Sequence, residues 1–382
     1  MNVFLVAGAR PNFMKIAPLY REALTREGVT CRIVHTGQHY DYEMSQTFFD
    51  DLQLPQPDYF LNAGSGSHAE QTARVMVAFE ELCANERPDL VIVVGDVNST
   101  LACSIVAKKA GIRVAHVEAG LRSFDLSMPE EINRMVTDSI ADLFFVTETS
   151  AVRNLFDEGK PPEQIFLVGH VMVDNLLHQM VQVQLNGFVA PELRQLKQKA
   201  REYVFLTLHR PSNVDDEETF SGIAFAVNEI ASRMPVIFPV HPRTRKMMES
   251  FGIQLHEGVT CLPPLSFSES LYFWKDARVV VTDSGGLQEE TTALGVPCVT
   301  IRENTERPIT VEMGTNVLAG TDPDRILARV LDAVEGRGKR GNVPPFWDGK
   351  ASERIWDVID RKYVKPDGSS ANVLDHRQCV GC

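Results

Sequence analysis

Two acidic side chains come directly after β-branched stretches of this sequence. Asp96 follows the stretch at 90–94, and Glu118 follows the stretch at 113–117. Such stretches are typical of buried strands, and a carboxylate at the end of a strand is well placed to take or give a proton in acid/base catalysis. For Glu118 the structural alternative is helix capping or an ion pair with Arg122.

Other charged residues lie near predicted helix starts. Glu130 opens the helical pattern at 129–140, where first-turn acids are common because they offset the helix dipole, so Glu130 considered alone would be structural. Arg134 lies one turn further along. Arg10 and Lys15 follow the first apolar stretch, and two cations there suit a diphosphate, although a solvent-exposed basic turn has the same composition.

A second candidate anion site follows the β-branched stretch at 278–282. Ser284, Gly285 and Gly286 come next, and we expect the glycines to form a tight turn, which could require positive φ, before a helical pattern. The free N–H groups of the first helical turn would bind an anion, with the Ser284 hydroxyl as a further donor. Glu290 could accept hydrogen bonds from ribose hydroxyls. The alternative is a helix N-cap with capping acids.

Two histidines end successive predicted strands. His209 follows the stretch at 203–208, and His241 follows the stretch at 235–240. A lone histidine is more often structural than catalytic, but two at successive strand ends favour function, and a structural role for His241 stays open. Arg307, in the loop after another strand, adds a cation at the same edge of the predicted sheet.

The elements that would position these residues alternate between β-branched runs and helical patterns. This alternation is typical of parallel sheets with crossover helices, in which ligands bind at the carboxyl ends of the strands. It restarts after a polar stretch at 184–201, so we predict an α/β protein with two Rossmann-like, doubly wound domains facing a central cleft. The predicted strands are 2–7, 31–35, 90–94, 113–117, 143–146, 165–168, 203–208, 235–240, 259–262, 278–282, 296–301 and 316–318.

Domain limits follow from the same pattern, since 382 residues exceed the usual size of one hydrophobic core. The predicted N-terminal domain covers residues 1–170 and carries the acid/base carboxylates. The C-terminal domain covers 171–350 and would bind the nucleotide. A helix within 351–365 is expected to cross back onto the first domain, and 366–382 should form a flexible tail.

Composition excludes several kinds of partner. A formal charge of −13 argues against nucleic acid, and no apolar run is long enough to span a membrane. The N-terminus starts directly in a strand, without a charged leader. Seven cysteines, an odd number, indicate reduced thiols and a cytoplasmic protein. Cys379 and Cys382 form one C-x-x-C pair, which cannot complete a structural zinc site, so we expect no metal.

Together these residues resemble the non-hydrolysing UDP-N-acetylglucosamine 2-epimerases. The resemblance covers residues 1–360 and keeps the order of the family's motifs. The matching segments are Gly8–Lys15, Gly95-Asp96, His116–Arg122, Pro129–Arg134, His209-Arg210, Pro239–His241, Asp283–Glu290 and Thr305–Pro308. Each is weak alone, whereas eight in order are specific. The family has the glycosyltransferase-B architecture, which agrees with the strand pattern.

The resemblance implies reversible inversion at carbon 2 of UDP-N-acetylglucosamine, giving UDP-N-acetylmannosamine for cell-surface polysaccharide. The family eliminates UDP to leave bound 2-acetamidoglucal, and then adds UDP back with the proton delivered to the other face. The ligand is thus a UDP-sugar, with no metal and no cofactor, and we expect a homodimer. Domain closure is also expected, because UDP must be retained between the two steps.

Positions that match the family's motifs take its residue roles by resemblance. The implied catalytic residues are Asp96, Glu118, Glu130 and His209. Which carboxylate acts on which face of the sugar stays open. The implied substrate-binding residues are Arg10, Lys15, Arg134, His241, Ser284, Gly285, Gly286, Glu290 and Arg307.

This sequence departs from the commonest pattern of the family, which leaves open whether the protein is under allosteric control and which sugar it accepts. The segment 38–46 keeps Gln38-His39 but not the residues after it, which in much of the family help to bind an activating UDP-N-acetylglucosamine. Ile309 replaces an acid, and relatives that act on UDP-2,3-diacetamido-2,3-dideoxy-glucuronate have a similar scaffold. A UDP-sugar glycosyltransferase and a non-catalytic nucleotide-sugar sensor are the alternatives from other classes, and neither explains the three carboxylates.

Overall fold

The structure is a computed structural model that describes residues 1–37, 49, 52–186 and 189–364. Three groups of predicted residues lie outside the described residues: the segment 38–46, the tail 366–382 with Cys379 and Cys382, and the side chain of Arg10. The predictions made for them stay predictions.

The first sheet contains seven parallel strands in the order β3-β2-β1-β4-β5-β6-β7. They are β1 Asn2–Ala7, β2 Thr30–His35, β3 Tyr59–Phe60, β4 Leu90–Val94, β5 Arg113–Val117, β6 Leu143–Val146 and β7 Ile165–Leu167. The connecting helices are α1 Arg10–Ala23, α2 His68–Glu86, α3 Asn98–Lys109, α4 Pro129–Ile140 and α5 Thr149–Asp157. Apolar clusters cover both faces of this sheet, which explains why its strands are nearly continuous apolar runs.

The second sheet contains six parallel strands in the order β10-β9-β8-β11-β12-β13. They are β8 Val204–Thr207, β9 Val236–Pro239, β10 Val259–Leu262, β11 Val279–Thr282, β12 Cys298–Thr300 and β13 Asn316–Leu318. Two helices, α6 Val171–Asn186 and α7 Pro191–Ala200, precede it. The later helices are α8 Pro211–Val214, α9 Glu217–Ala231, α10 Pro242–Phe251, α11 Phe267–Trp274, α12 Gly285–Leu294, α13 Pro308–Glu312, α14 Pro323–Val334 and α15 Ala351–Ile359.

Strand pairing places the predicted site residues at one edge of each sheet. The last residues of β4 and β5 are paired with each other, so Asp96 and Glu118 emerge from neighbouring strands. In the second sheet the last residues of β8 and β11 are paired, so His209 and Ser284 also emerge side by side. These are the carboxyl ends, where α/β sheets bind ligands.

The last helix, α15, packs on the first sheet. Trp356 is fully buried there, and its indole N–H donates to the Leu19 carbonyl of α1 at 2.9 Å. The first N–H groups of α15, from Ala351 and Ser352, donate to the Asp174 carboxylate of α6 at 3.1 and 2.7 Å. These hydrogen bonds satisfy the amino end of α15 and fix its direction across the sheet.

The predicted alternation of parallel strands and helices is confirmed, and twelve predicted strands match observed ones. The strand β3 was missed because two residues carry no periodicity. The polar stretch at 184–201 contains a helix, α7. The domain limits at residues 170 and 350 stay a prediction.

Candidate active site

A cavity of about 390 Å³ lies where the carboxyl ends of the two sheets meet. Its volume suits a small-molecule ligand. Six of the predicted site residues line it: Asp96, Glu130, Arg134, Gly285, Gly286 and Arg307. The first three follow strands of the first sheet and the last three follow strands of the second. A larger cavity of about 490 Å³ lies at the amino edge of the second sheet, and no predicted site residue lines it.

Glu118 is fully buried, and its carboxylate is paired with the Lys15 ammonium. Its φ of +68° places the backbone in the left-handed region, which costs a non-glycine residue free energy and is concentrated at functional sites. Gly95 makes room for the pair, because a Cβ there would lie 2.9 Å from Lys15 Nζ. The alternative pairing with Arg122 is wrong, since Arg122 contacts Asp138 at 2.8 Å instead.

The groups around Glu118 favour its ionised form. Burial alone would raise its pKa, but Lys15, Arg307 and His170 outweigh burial and hold the pKa well below its ordinary value. Glu118 is therefore a carboxylate when the site holds no substrate, and it can accept a proton.

Asp96 is held at the wall of the cavity by residues of α4. Arg134 forms an ion pair with its carboxylate, and the Asn133 amide donates to its backbone carbonyl at 2.9 Å. The carboxylate is one quarter exposed. It is thus oriented by protein contacts on one side and accessible to a ligand on the other.

Glu130 and Glu131 are neighbours in the first turn of α4, and their side chains have different surroundings. Glu131 is buried, and its carboxylate accepts the backbone N–H groups of Ser123 and Phe124 at 2.9 and 3.1 Å. It therefore holds the loop before α4. Glu130 is exposed in the first turn of α4 and lines the cavity, where a ligand could reach it.

His209 is oriented by Asp283, a buried residue at the end of β11. The imidazole Nδ1 lies 2.9 Å from Asp283 Oδ1, while Oδ2 accepts the backbone N–H groups of His209 and Arg210. Burial would raise the pKa of Asp283, but the imidazole and these N–H groups outweigh burial and lower it. Nε2 of the partly exposed His209 ring is left available for a ligand.

His241 lies beside His209, with ring centres 5.9 Å apart, but it does not line the cavity. Its Nδ1 accepts the backbone N–H of Arg243 at 3.2 Å, so His241 caps α10. Burial, with help from His209, lowers its pKa. In this structure His241 therefore has the structural role that the sequence left open.

The helix α12 begins at Gly285, with Ser284 as its N-cap residue. The predicted glycine turn is wrong, because both glycines are helical and neither is among the described glycines with positive φ. Gly286 provides space instead: a Cβ there would meet no atom within 4 Å. Since the Ser284 side chain makes no capping hydrogen bond, the first N–H groups of α12 stay open for an anion.

Comparison with known proteins identifies the family of this chain. The sequence profile of the family described as UDP-N-acetylglucosamine 2-epimerase matches residues 22–360. The chain belongs to this epimerase family. A protein of Methanococcus maripaludis named UDP-N-acetylglucosamine 2-epimerase is 40% identical over 364 residues, which cover 94% of this chain and 98% of the relative.

Two further members of the epimerase family are similarly close. A solved structure of Methanocaldococcus jannaschii UDP-GlcNAc 2-epimerase, in complex with UDP-GlcNAc and UDP, has a TM-score of 0.80 and 40% identity, covering 94% of this chain and 99% of that one. A Pseudomonas aeruginosa protein named UDP-2,3-diacetamido-2,3-dideoxy-D-glucuronate 2-epimerase is 37% identical, covering 94% of this chain and 99% of the relative. The two-domain, glycosyltransferase-B-like fold predicted from the sequence is thus confirmed.

A buried ionic network that the sequence analysis missed connects the two halves of this epimerase-family chain. Arg307 Nε and His170 Nε2 lie 2.8 and 3.0 Å from the same atom, Glu289 Oε1. Arg307 lines the cavity, Glu289 is in α12, and His170 follows β7. The sequence offered only weak local signals for this network. Gly169 and His170 follow a strand, and Glu289 is adjacent to Glu290.

Glu290 lies in α12 and is largely buried. Burial first, and then the charge of Glu289, raise its pKa to about 8. The side-chain carboxyl group of Glu290 has no hydrogen-bond or ion-pair partner among residues 1–37, 49, 52–186 and 189–364. Without a ligand it is therefore a neutral carboxyl group near pH 7.

The described residues contain neither a candidate membrane span nor a candidate metal site. None of their helices is long and apolar enough to cross a membrane. They also contain no group of three or more His, Cys, Asp or Glu side chains that could hold a metal ion.

Proposed function

We propose that this protein catalyses the reversible conversion of UDP-N-acetylglucosamine to UDP-N-acetylmannosamine. One observation carries the proposal: a single cavity joins Asp96 and Glu130 of the first half to the open amino end of α12 in the second. Acid/base groups and an anion site therefore face one ligand. The names of the relatives support the same substrate.

The reaction proposed has two steps. A carboxylate takes the proton from carbon 2 while the bond between carbon 1 and the diphosphate oxygen breaks, which leaves 2-acetamidoglucal and UDP. The diphosphate oxygen then attacks carbon 1 again, and a proton returns to the opposite face of carbon 2. Groups on both faces are required, which gives Asp96, Glu118 and Glu130 a common purpose.

The diphosphate acquires negative charge as the bond to carbon 1 breaks. The first N–H groups of α12 at Gly285 and Gly286, together with Ser284, would stabilise this charge. His209, oriented by Asp283, would add a donor at the same edge. The cations proposed to assist them are Arg10, Lys15, Arg134 and Arg307.

Glu290 is proposed to hold the ribose. Its buried carboxyl group has no partner within the described ranges, and ribose hydroxyls would supply hydrogen bonds that the protein does not. His241 is proposed to act indirectly, by holding the start of α10 next to His209.

We further propose that the enzyme works in the cytoplasm as a homodimer. All five cysteines of the described residues are free thiols, which suits a reducing compartment. Large apolar side chains are exposed on the first half, including Val77, Phe124 and Leu126, and a second copy could cover them. Light scattering in solution would measure the mass.

A related UDP-sugar is the second candidate substrate. The Pseudomonas aeruginosa relative named for UDP-2,3-diacetamido-2,3-dideoxy-D-glucuronate is nearly as similar as the relatives named for UDP-N-acetylglucosamine. The two sugars differ in charge, since the glucuronate carries an extra carboxylate. Parallel assays with both would decide which one is turned over.

Proton NMR of UDP-N-acetylglucosamine in deuterated water tests the proposal. We expect the UDP-N-acetylmannosamine signals to grow while deuterium replaces the proton on carbon 2 of both sugars. A glycosyltransferase would leave the sugar unchanged or slowly hydrolysed. Release of free sugar without exchange at carbon 2 would contradict the proposed reaction.

A further inference from the structure

His170 lies between the two carboxylates that belong to opposite halves of the site. It is almost fully buried, and its Nε2 lies 3.0 Å from Glu289 Oε1 and 3.8 Å from Glu118 Oε1. The edge of the ring packs on Trp347, with ring centres 5.1 Å apart. One imidazole nitrogen is thus within reach of both Glu118 and Glu289.

The hydrogen bonds of His170 define where its proton sits. The backbone N–H of Met172 donates to His170 Nδ1 at 3.2 Å, so Nδ1 keeps its lone pair. In the neutral ring the proton is therefore on Nε2. His170 has one N–H to offer, and in this structure it donates that N–H to Glu289.

Glu118 has a vacant acceptor on the side that faces His170. Its Oε2 is taken by Lys15, while Oε1 is buried and accepts no hydrogen bond from the residues the structure describes. A buried oxygen without a donor is unfavourable. His170 Nε2 lies 3.8 Å from this oxygen, but it is already the partner of Glu289. A small rotation of the His170 ring would redirect its N–H to Glu118.

We propose that His170 is a positioning residue that shifts its Nε2–H from Glu289 to Glu118 when the diphosphate binds. This inference rests on the proposed function, in which Lys15 helps to bind the diphosphate. As the ammonium turns toward the ligand, Glu118 loses its partner on Oε2, and His170 supplies a hydrogen bond on Oε1. The proton stays on His170 throughout; only its acceptor changes.

The shift keeps Glu118 ionised in the loaded site, where the proposed reaction needs carboxylates that can accept a proton. The other charged groups near His170 are Lys15, Arg307, Glu148 and Asp174. Arg307 remains paired with Glu289 on the other side, so Glu289 does not lose all compensation when His170 turns away. Without His170, the pKa of Glu118 in the loaded site should rise, because burial would then be opposed by fewer donors.

Two substitutions distinguish the hydrogen bond donated by His170 from the volume that its side chain fills. His170→Leu removes the N–H at similar volume, whereas His170→Gln keeps an amide N–H near the place of Nε2. We expect His170→Leu to lower kcat by about tenfold to a hundredfold, the worth of a hydrogen bond to a charged group. The acidic limb of its kcat profile should move to higher pH, while the affinity for UDP stays within about threefold. His170→Gln should recover most of kcat and the original limb.

A second measurement follows the hydrogen bond in the wild-type protein, with the variants used only to assign the resonance. In ¹⁵N-histidine NMR, the Nε2–H resonance of His170 should shift when UDP is added, and it should be assigned by its loss in His170→Leu or His170→Gln. A resonance that UDP leaves unchanged would overturn the proposal, as would an unshifted acidic limb in His170→Leu. Epimerisation by the wild type in the same buffers separates failure of this inference from failure of the proposed function.

Discussion

Lys15 and Glu118 form a buried ion pair although they are 103 residues apart in the sequence. Lys15 comes from α1 and Glu118 from the residue after β5, so the pair joins the ends of two strands of the first sheet that are separated by β4. Before substrate binds, the Glu118 carboxylate and the Lys15 ammonium are thus in direct contact. Separating them should accompany binding of the diphosphate.

Asp96→Asn and Glu118→Gln should each lower kcat by at least about a hundredfold, the usual worth of a positioned acid/base group. Both replacements keep the shape of the side chain, so calorimetry should still detect UDP binding. Glu80→Gln, an exposed carboxylate on α2, is the control and should leave kcat unchanged. Near-normal turnover in both site variants would exclude the acid/base assignment.

Gly95→Ala should damage both stability and turnover. The residue has φ of +67°, and a Cβ would lie 2.9 Å from Lys15 Nζ. We expect the free energy of unfolding to fall by about 1–2 kcal/mol from the backbone alone, and kcat to fall by at least about tenfold as Lys15 and Glu118 are displaced.

Gly111→Ala is the matched control for that variant. Its φ is +74°, and a Cβ there would meet no atom within 4 Å. It should lose similar stability in denaturant titrations and keep its kcat. Equal kcat for the two variants would show that the space beside Lys15 does not matter.

Gly286→Val should weaken UDP binding by about tenfold or more without unfolding the protein. The side chain would enter the open space in front of the first N–H groups of α12 and block a diphosphate from approaching them. Gly285→Val should act in the same direction. Calorimetric titration with UDP and a thermal melt would check both points. Unchanged affinity in both variants would mean that this helix start is only a structural cap.

Glu290→Gln should stabilise the unliganded protein more at high pH than at low pH. The folded-state pKa of Glu290 is raised to about 8, above the value of about 4.3 expected in the unfolded chain. Its favourable contribution is therefore complete below that lower value and is lost as pH rises through the folded-state pKa. Glutamine does not ionise and avoids this loss.

Thermal melts from pH 6 to pH 9 would measure the difference between Glu290→Gln and the wild type. The advantage of the variant should grow with pH up to about pH 8 and level off above it. A constant difference in Tm would contradict a buried, protonated Glu290.

The sequence by itself determined the class of fold and the edge of each sheet, at the carboxyl ends of the strands, where the candidate site residues lie. Parallel strands that are covered on both faces must be apolar and β-branched, so the runs that became β4 and β5 could be recognised locally. A residue that follows such a strand lies at its carboxyl end whatever the rest of the chain does. The positions of Asp96, Glu118 and His209 at the carboxyl ends of strands were predicted in this way.

Only the tertiary structure decided which charged groups meet. Lys15 with Glu118 and His170 with Glu289 are pairs from distant segments, and no local pattern specifies such contacts. Glu131 holds the loop at Ser123 whereas Glu130 lines the cavity, and this difference also depends on which side of α4 faces that loop. Helix and strand periodicity reflects each segment's own burial. The contacts depend instead on how distant segments pack at the carboxyl ends of the strands, within the first sheet for Lys15 and Glu118 and between the two sheets for His170 and Glu289, and spacing along the chain does not contain those distances.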